Sequence, residues 1–285
     1  MSRRTDNRHR AATICRAATG LAHRTCVRWA ADGLITRHRP VPDAGTPQQQ
    51  ALEARLFAAL AGGTVLALTA VMPSRTDPAL ALHADRAREF LDAVLPRLDG
   101  AGVLHGVPGL RLVPDSGSWW LADAVDRARV RLVHPRPGWQ PGTSGREGGG
   151  PDRLWSGGRR ALHPAEEAAR NGGAGRGAAS PDRDLLFSRT LRRLRLIVDA
   201  GAQHGWVNLD TTTSYDLVVD CCCASGALKL MRGLRQSLLA EDPEDDGPGY
   251  PGDIDVGGAS VAVRHATCGS FPQPAGAWYP QGATC

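Results

Sequence analysis

Three cysteines stand side by side at Cys221, Cys222 and Cys223, and His265 and Cys268 follow in the next apolar run. In an extended chain Cys221 and Cys223 share one face and Cys222 takes the other. If the run ending at His265 lies beside the first, then Cys221, Cys223, His265 and Cys268 offer three thiolates and one imidazole. That is a tetrahedral donor set of the kind zinc takes. The C-x-C spacing is tighter than the usual C-x2–4-C, and cysteine also serves as a small buried apolar side chain. A zinc site and a buried strand therefore both remain open.

Acid–base and nucleophilic chemistry have less to stand on. His204 lies near Asp199, and Asp210 precedes Thr211-Thr212-Thr213, a stretch that also suits a polar turn bonding its own backbone. No G-x-S-x-G elbow, H-E-x-x-H pair or phosphate-binding loop occurs, and "GAGRG" lacks both the G-x-G-x-x-G spacing and a preceding strand. The sequence assigns no catalytic residue and leaves open whether the protein is an enzyme.

The second constellation is basic. Residues 1–39 carry nine arginines against Asp6 and Asp32, a net charge of +7, whereas the whole chain carries +5. A basic start on a nearly neutral body suits contact with a polyanion, or a solvated leader. Within it, "TICRAATGLAHRTCVRWAADGLI" (Thr13–Ile35) predicts helices over Ala11–Ala18 and His23–Ala31 about a turn at Thr19-Gly20-Leu21. Gly33 supplies the second stop. Leu21, Cys26 and Trp29 form the inner face of such a hairpin. His23, Arg24, Thr25 and Arg28 fall on or near the outer face of the second helix, where side chains reach phosphates and base edges.

The spacing resembles the N-terminal helix-turn-helix of the MerR-type regulators over residues 13–39. It carries a T-G turn (Thr19-Gly20), then R-T (Arg24-Thr25), an aromatic (Trp29) and G-L-I (Gly33-Leu34-Ile35), with Arg39 near the place of a further basic residue. The resemblance implies DNA contact through His23, Arg24, Thr25, Arg28, Arg37 and Arg39. Arg16 stands where the family has a small alanine between the helices. No glycine-tyrosine-arginine wing and no long dimerisation helix follow, so no sensor mechanism is implied.

The remaining segments must hold these groups in place. Prolines 40, 42 and 47 mark a linker. Leu52, Leu56, Phe57 and Leu60 fall at helical spacing, and Val65–Val71 reads as a buried strand. Ala79–Leu95 predicts a second helix with Ala87, Phe90, Leu91, Val94 and Leu95 on one face. Leu110–Val113 and Val130–Val133 predict strands, and Trp119–Arg127 a short helix. One of the tandem tryptophans, Trp119 and Trp120, can cap a core while the other makes an exposed contact. After a Gly/Arg/Pro-rich span, Leu191, Leu194 and Ile197 line a helix, Leu217–Cys223 a strand, Ala227–Leu239 a helix and Val261–His265 a last strand. The acidic "EDPEDDGPGYPGDID" reads as a loop.

The expected class is α/β, with α+β as the variant. The expected organisation is a basic helix-turn-helix-like segment (1–45), a small α/β domain (46–135), a flexible linker (136–182), a second small α/β region (183–270) and a loose tail (271–285). The uncharged run Leu56–Ser74 is split by Gly62-Gly63 and closed by Pro73, so it reads as helix end, stop and strand and not as a membrane span. No apolar region follows the basic start as in a secretory signal. Seven cysteines without such a signal point to reduced thiols and the cytoplasm.

Three functions fit. The leading one is non-enzymatic nucleic-acid binding, with DNA as the expected partner. The second is a metal-stabilised or catalytic protein centred on residues 185–268, with zinc as the cofactor. The third is an interaction module that binds a protein through the opening helices.

Overall fold

Small residues determine how the chain begins. The computed structural model describes residues 3–61, 67–141, 152–155, 161–171, 180–204, 207–210, 216–221, 224–239, 253–256 and 258–265. Helix α1 (Arg3–Thr19) and helix α2 (His23–Ala31) pack through Ala11, Ala12 and Cys15 on one side and Cys26 and Ala30 on the other. Ile35 closes this buried cluster, and Leu21, Val27 and Trp29 fringe it. The turn is built by Thr19, whose hydroxyl donates to the Cys15 carbonyl at 2.7 Å and accepts from the Leu21 N–H at 3.2 Å. Gly20 takes φ +77°, a conformation open to glycine at little cost.

Residues 40–42 are buried, so the proline-marked connection is part of the packed structure. Thr46 caps helix α3 (Pro47–Leu60), its hydroxyl accepting from the Gln49 N–H, and Pro47 fills the first turn.

A five-stranded sheet follows, formed by β1 (Leu68–Met72), β2 (Ala79–Leu82), β5 (Leu110–Asp115), β6 (Ser118–Asp123) and β7 (Arg129–Val133). Its order is β1-β2-β7-β6-β5, with β2 and β7 parallel and the other neighbours antiparallel. Helix α4 (Ala87–Val94) packs beside α3 and sends Ala87, Phe90, Leu91 and Val94 into the core. Strands β3 (Arg97–Leu98), β4 (Leu104–His105) and β8 (Asp152–Arg153) make a small sheet of their own.

Helices α5 (Pro164–Asn171), α6 (Pro181–Arg192), α7 (Leu194–His204) and α8 (Ala224–Leu234, running into a π-helical turn) complete the helices. Strands β9 (Val207–Asp210), β10 (Leu217–Cys221), β11 (Asp253–Val256) and β12 (Ala259–His265) form a second sheet in the order β11-β12-β10-β9, with β10 and β12 parallel. Helix α3 lies along α6, where Phe57 meets Phe187 edge to face at 5.4 Å. Buried apolar side chains from Leu52 to Val263 form one contiguous core. The chain is thus a mixed α/β protein.

Several expectations change. Ala79–Leu82 is a strand and not the first turn of a helix, because β1 and β7 pair with its two edges and override the alanine–leucine preference. Trp119–Arg127 is not helical. Ser116 and Gly117, at φ 48° and 79°, form a two-residue hairpin turn that sends Trp119 and Trp120 up strand β6 against β5. Asp253–Asp255, read as loop, belongs to β11. Within the span read as linker, β8 and α5 take defined places, and Glu166 of α5 is fully buried. Among the described residues no helix is long and apolar enough to cross a membrane.

Candidate nucleic-acid interface

Helix α2 packs on α1 through Cys26 and Ala30, which turns the opposite face outward. His23, Arg24 and Arg28 on that face are exposed, and Thr25 is half-buried. Arg24 and Arg28 stand one helical turn apart and so project side by side. The N-cap position is Ala22, and no side chain caps the first amides of the helix. An uncapped N-terminus keeps N–H donors and the positive end of the helix dipole available to an anion.

After α2, Gly33 at φ +74° reverses the chain. Ile35 enters the hairpin core and Leu34 points out, 53% exposed. A tight turn follows in which Thr36 and Arg39 exchange backbone hydrogen bonds of 3.0 and 3.1 Å, and the Thr36 hydroxyl also accepts from the Arg39 N–H. Arg39 is exposed and Arg37 half-buried on this turn. Arg37, His38 and Thr36 share a cleft of about 430 Å³ with Asn7 and Arg8 of α1. The basic side chains named from the sequence thus occupy one helix face and one adjoining turn.

Two details of this unit escape the sequence. Arg16, at the position where a small packed residue was expected, is exposed on the far side of α1, and Cys15 takes the packed place. The Cys15 and Cys26 thiols hydrogen-bond to each other across the helix interface. Burial is the main cause that pushes both thiols up, Cys15 far above the ordinary cysteine range, so both stay protonated and apolar in character.

The cysteine constellation is only partly visible. Strands β10 and β12 lie side by side and in parallel, with Cys221 in register with His265, as a shared site requires. Cys221 is buried, while Cys222, Cys223 and Cys268 lie outside the described residues. Among the described residues no group of three His, Cys, Asp or Glu side chains is placed to hold a metal ion. Asp199 forms an ion pair with Arg195, one turn away on α7, at 2.6 Å. His204 ends α7, Asp210 ends β9, and Thr211–Thr213 lie outside the described residues. The tandem tryptophans are both half-buried, so neither makes the exposed contact expected of one of them. Trp119 packs against the core, and Trp120 is covered by the Arg129 guanidinium 4.3 Å above its ring.

No family model, curated protein or solved structure matches the chain.

Proposed function

We propose that the α1–α2 hairpin is a DNA-binding unit and that the protein acts without chemistry of its own at this site. The carrying observation is the division of α2, with its apolar side chains buried on α1 and Arg24 and Arg28 projecting together into solvent. The helix-turn-helix resemblance of residues 13–39 and the local charge of +7 support the same reading. In it, α2 enters a groove, Arg24 and Arg28 meet phosphates or base edges, and His23 and Thr25 flank them. The uncapped helix start and the turn bearing Arg37 and Arg39 hold the neighbouring backbone. The buried, reduced thiols of Cys15, Cys26 and Cys221 suit a reducing compartment, and the reading places the protein in the cytoplasm.

The test is binding of the full chain to random duplex DNA over a salt series, beside the Arg24→Ala/Arg28→Ala variant. Each lost phosphate contact lowers the slope of log K against log [salt] by about 0.9, so the double variant flattens it by about 2. A folded variant with unchanged affinity and slope overturns the reading. The exposed Leu34 beside the same helix favours a protein partner as the second reading. Under that reading, Leu34→Ser abolishes capture of a partner and no DNA is retained.

A further inference from the structure

A second cleft, of about 550 Å³, opens on the side of α1 away from α2, between that helix and the body of the protein. Its size lies in the range of small-molecule sites. Arg16 of α1, Arg195 of α7 and Lys229 of α8 line it, so three cations from three separate helices face one space. Among the described residues Asp199 is the one carboxylate on the wall, and it pairs with Arg195. Arg195 is held in addition by donating to the Thr69 carbonyl at 3.0 Å, which fixes its guanidinium at the cleft and leaves further N–H groups for a ligand. Between the charges lie Leu196 and Leu230, an apolar floor. Three cations around an apolar floor select an anionic group joined to an apolar body, because neither water nor an inorganic ion satisfies both.

We infer that this cleft binds a small organic anion, its carboxylate or phosphate among Arg16, Arg195 and Lys229 and its apolar body on Leu196 and Leu230. The ligand bridges the N-terminal hairpin to α7 and α8, and its binding is independent of the DNA reading. The sequence did not reveal the site because its three cations are far apart along the chain. Arg16 looked only like a misfit in the hairpin.

The test uses the full chain and 8-anilinonaphthalene-1-sulfonate, an aromatic anion that fluoresces in apolar surroundings. One saturable site is expected. Its affinity falls at least about tenfold in Arg16→Glu/Lys229→Glu, where charge-assisted contacts turn repulsive. Ala17→Trp, which fills the cleft without changing its charge, lowers the affinity as well. Both variants alter exposed side chains, and their unfolding midpoints are measured alongside. Competition then separates the sources, since phenyl phosphate displacing the probe better than benzoate indicates a phosphoryl ligand and the reverse order a carboxylate. The inference is overturned by absence of saturable binding, by equal affinity in the folded variants, or by benzyl alcohol competing as well as either anion.

Discussion

Glu53 and Arg192, 139 residues apart in the chain, meet as a bidentate ion pair shut away from solvent. Arg192 Nε donates to Glu53 Oε2 at 2.7 Å and Nη2 to Oε1 at 2.6 Å. The carboxylate also accepts from Ser188 Oγ and Gln49 Nε2, and Nη1 and Nη2 of the guanidinium donate to the Pro42 and Ser74 carbonyls. With four of the five guanidinium N–H donors and both carboxylate oxygens bonded, the pair fixes α3 against α6 and holds down the segment that leaves the hairpin.

Removing one member leaves the other charge buried and alone. Glu53→Ala therefore lowers unfolding free energy by about 3–5 kcal/mol in urea titration. Arg86→Ala, which breaks the exposed Arg86–Glu89 pair, costs under about 1 kcal/mol and serves as the reference. Equal losses in the two variants would mean that the buried network contributes nothing special.

Acid should destabilise the protein partly through Glu166. Burial alone would raise this carboxyl, but hydrogen bonds from Arg111 and from the His163 and Gly109 amides outweigh it and hold the group below its ordinary value. A depressed folded value means that the unfolded chain binds the proton first as pH falls. The contribution is then complete above the unfolded glutamate value of about 4.3 and disappears as pH drops through the folded one. Urea midpoints measured from pH 6 to pH 3 should fall, and Glu166→Gln, which cannot titrate, should fall less steeply. Asp123 adds to the same slope. There too burial raises the carboxyl, but the Val125 amide and Arg55 and Arg170 hold it down.

The two hairpin glycines separate strain from contact. Gly20 and Gly33 both have positive φ, but a Cβ on Gly20 meets Ala70 Cβ and Arg195 Cδ at 3.2 Å, and one on Gly33 meets nothing within 4 Å. Gly33→Ala should cost about 1–2 kcal/mol, the backbone penalty alone. Gly20→Ala should cost more, because the turn is pressed against β1 and α7 as well. Equal costs in thermal or urea unfolding would mean that the turn moves away from the body freely.

What the sequence revealed and what it hid divide along range. The hairpin was legible because alanines, Cys26 and Gly20 sit at helical spacing within one short stretch, and α3 because Leu52, Leu56 and Leu60 repeat with its turn. Arg24 and Arg28 followed from the same periodicity. Strand β2 was not legible, since Ala79–Leu82 is extended through pairing on both edges, with β1 and with β7 from far along the chain. Strand β6 was missed because the turn at Ser116-Gly117 lacks the asparagine or aspartate that usually announces it. Helix α5 was hidden by its glycine-rich surroundings, and what holds it is Arg111, 55 residues away. The anion cleft is of the same kind, since no local pattern brings Arg16, Arg195 and Lys229 together.

The paired thiols give a probe of the hairpin itself. The thiolate is the reactive form, and burial keeps Cys15 and Cys26 protonated, so iodoacetamide at pH 8 should leave both unmodified in the native protein and alkylate both in urea. Peptide mapping reads each site separately from the other five cysteines. Because α1 and α2 have a small cluster of their own, labelling in low urea should report local opening, with a weaker denaturant dependence than global unfolding. Duplex DNA that binds the closed hairpin suppresses that opening by mass action. At 100 times the dissociation constant, labelling of Cys15 and Cys26 slows about a hundredfold while the global unfolding rate sets the floor. A rate unchanged by DNA that is independently shown to be bound would place the contact elsewhere on the molecule and remove α2 from the interface.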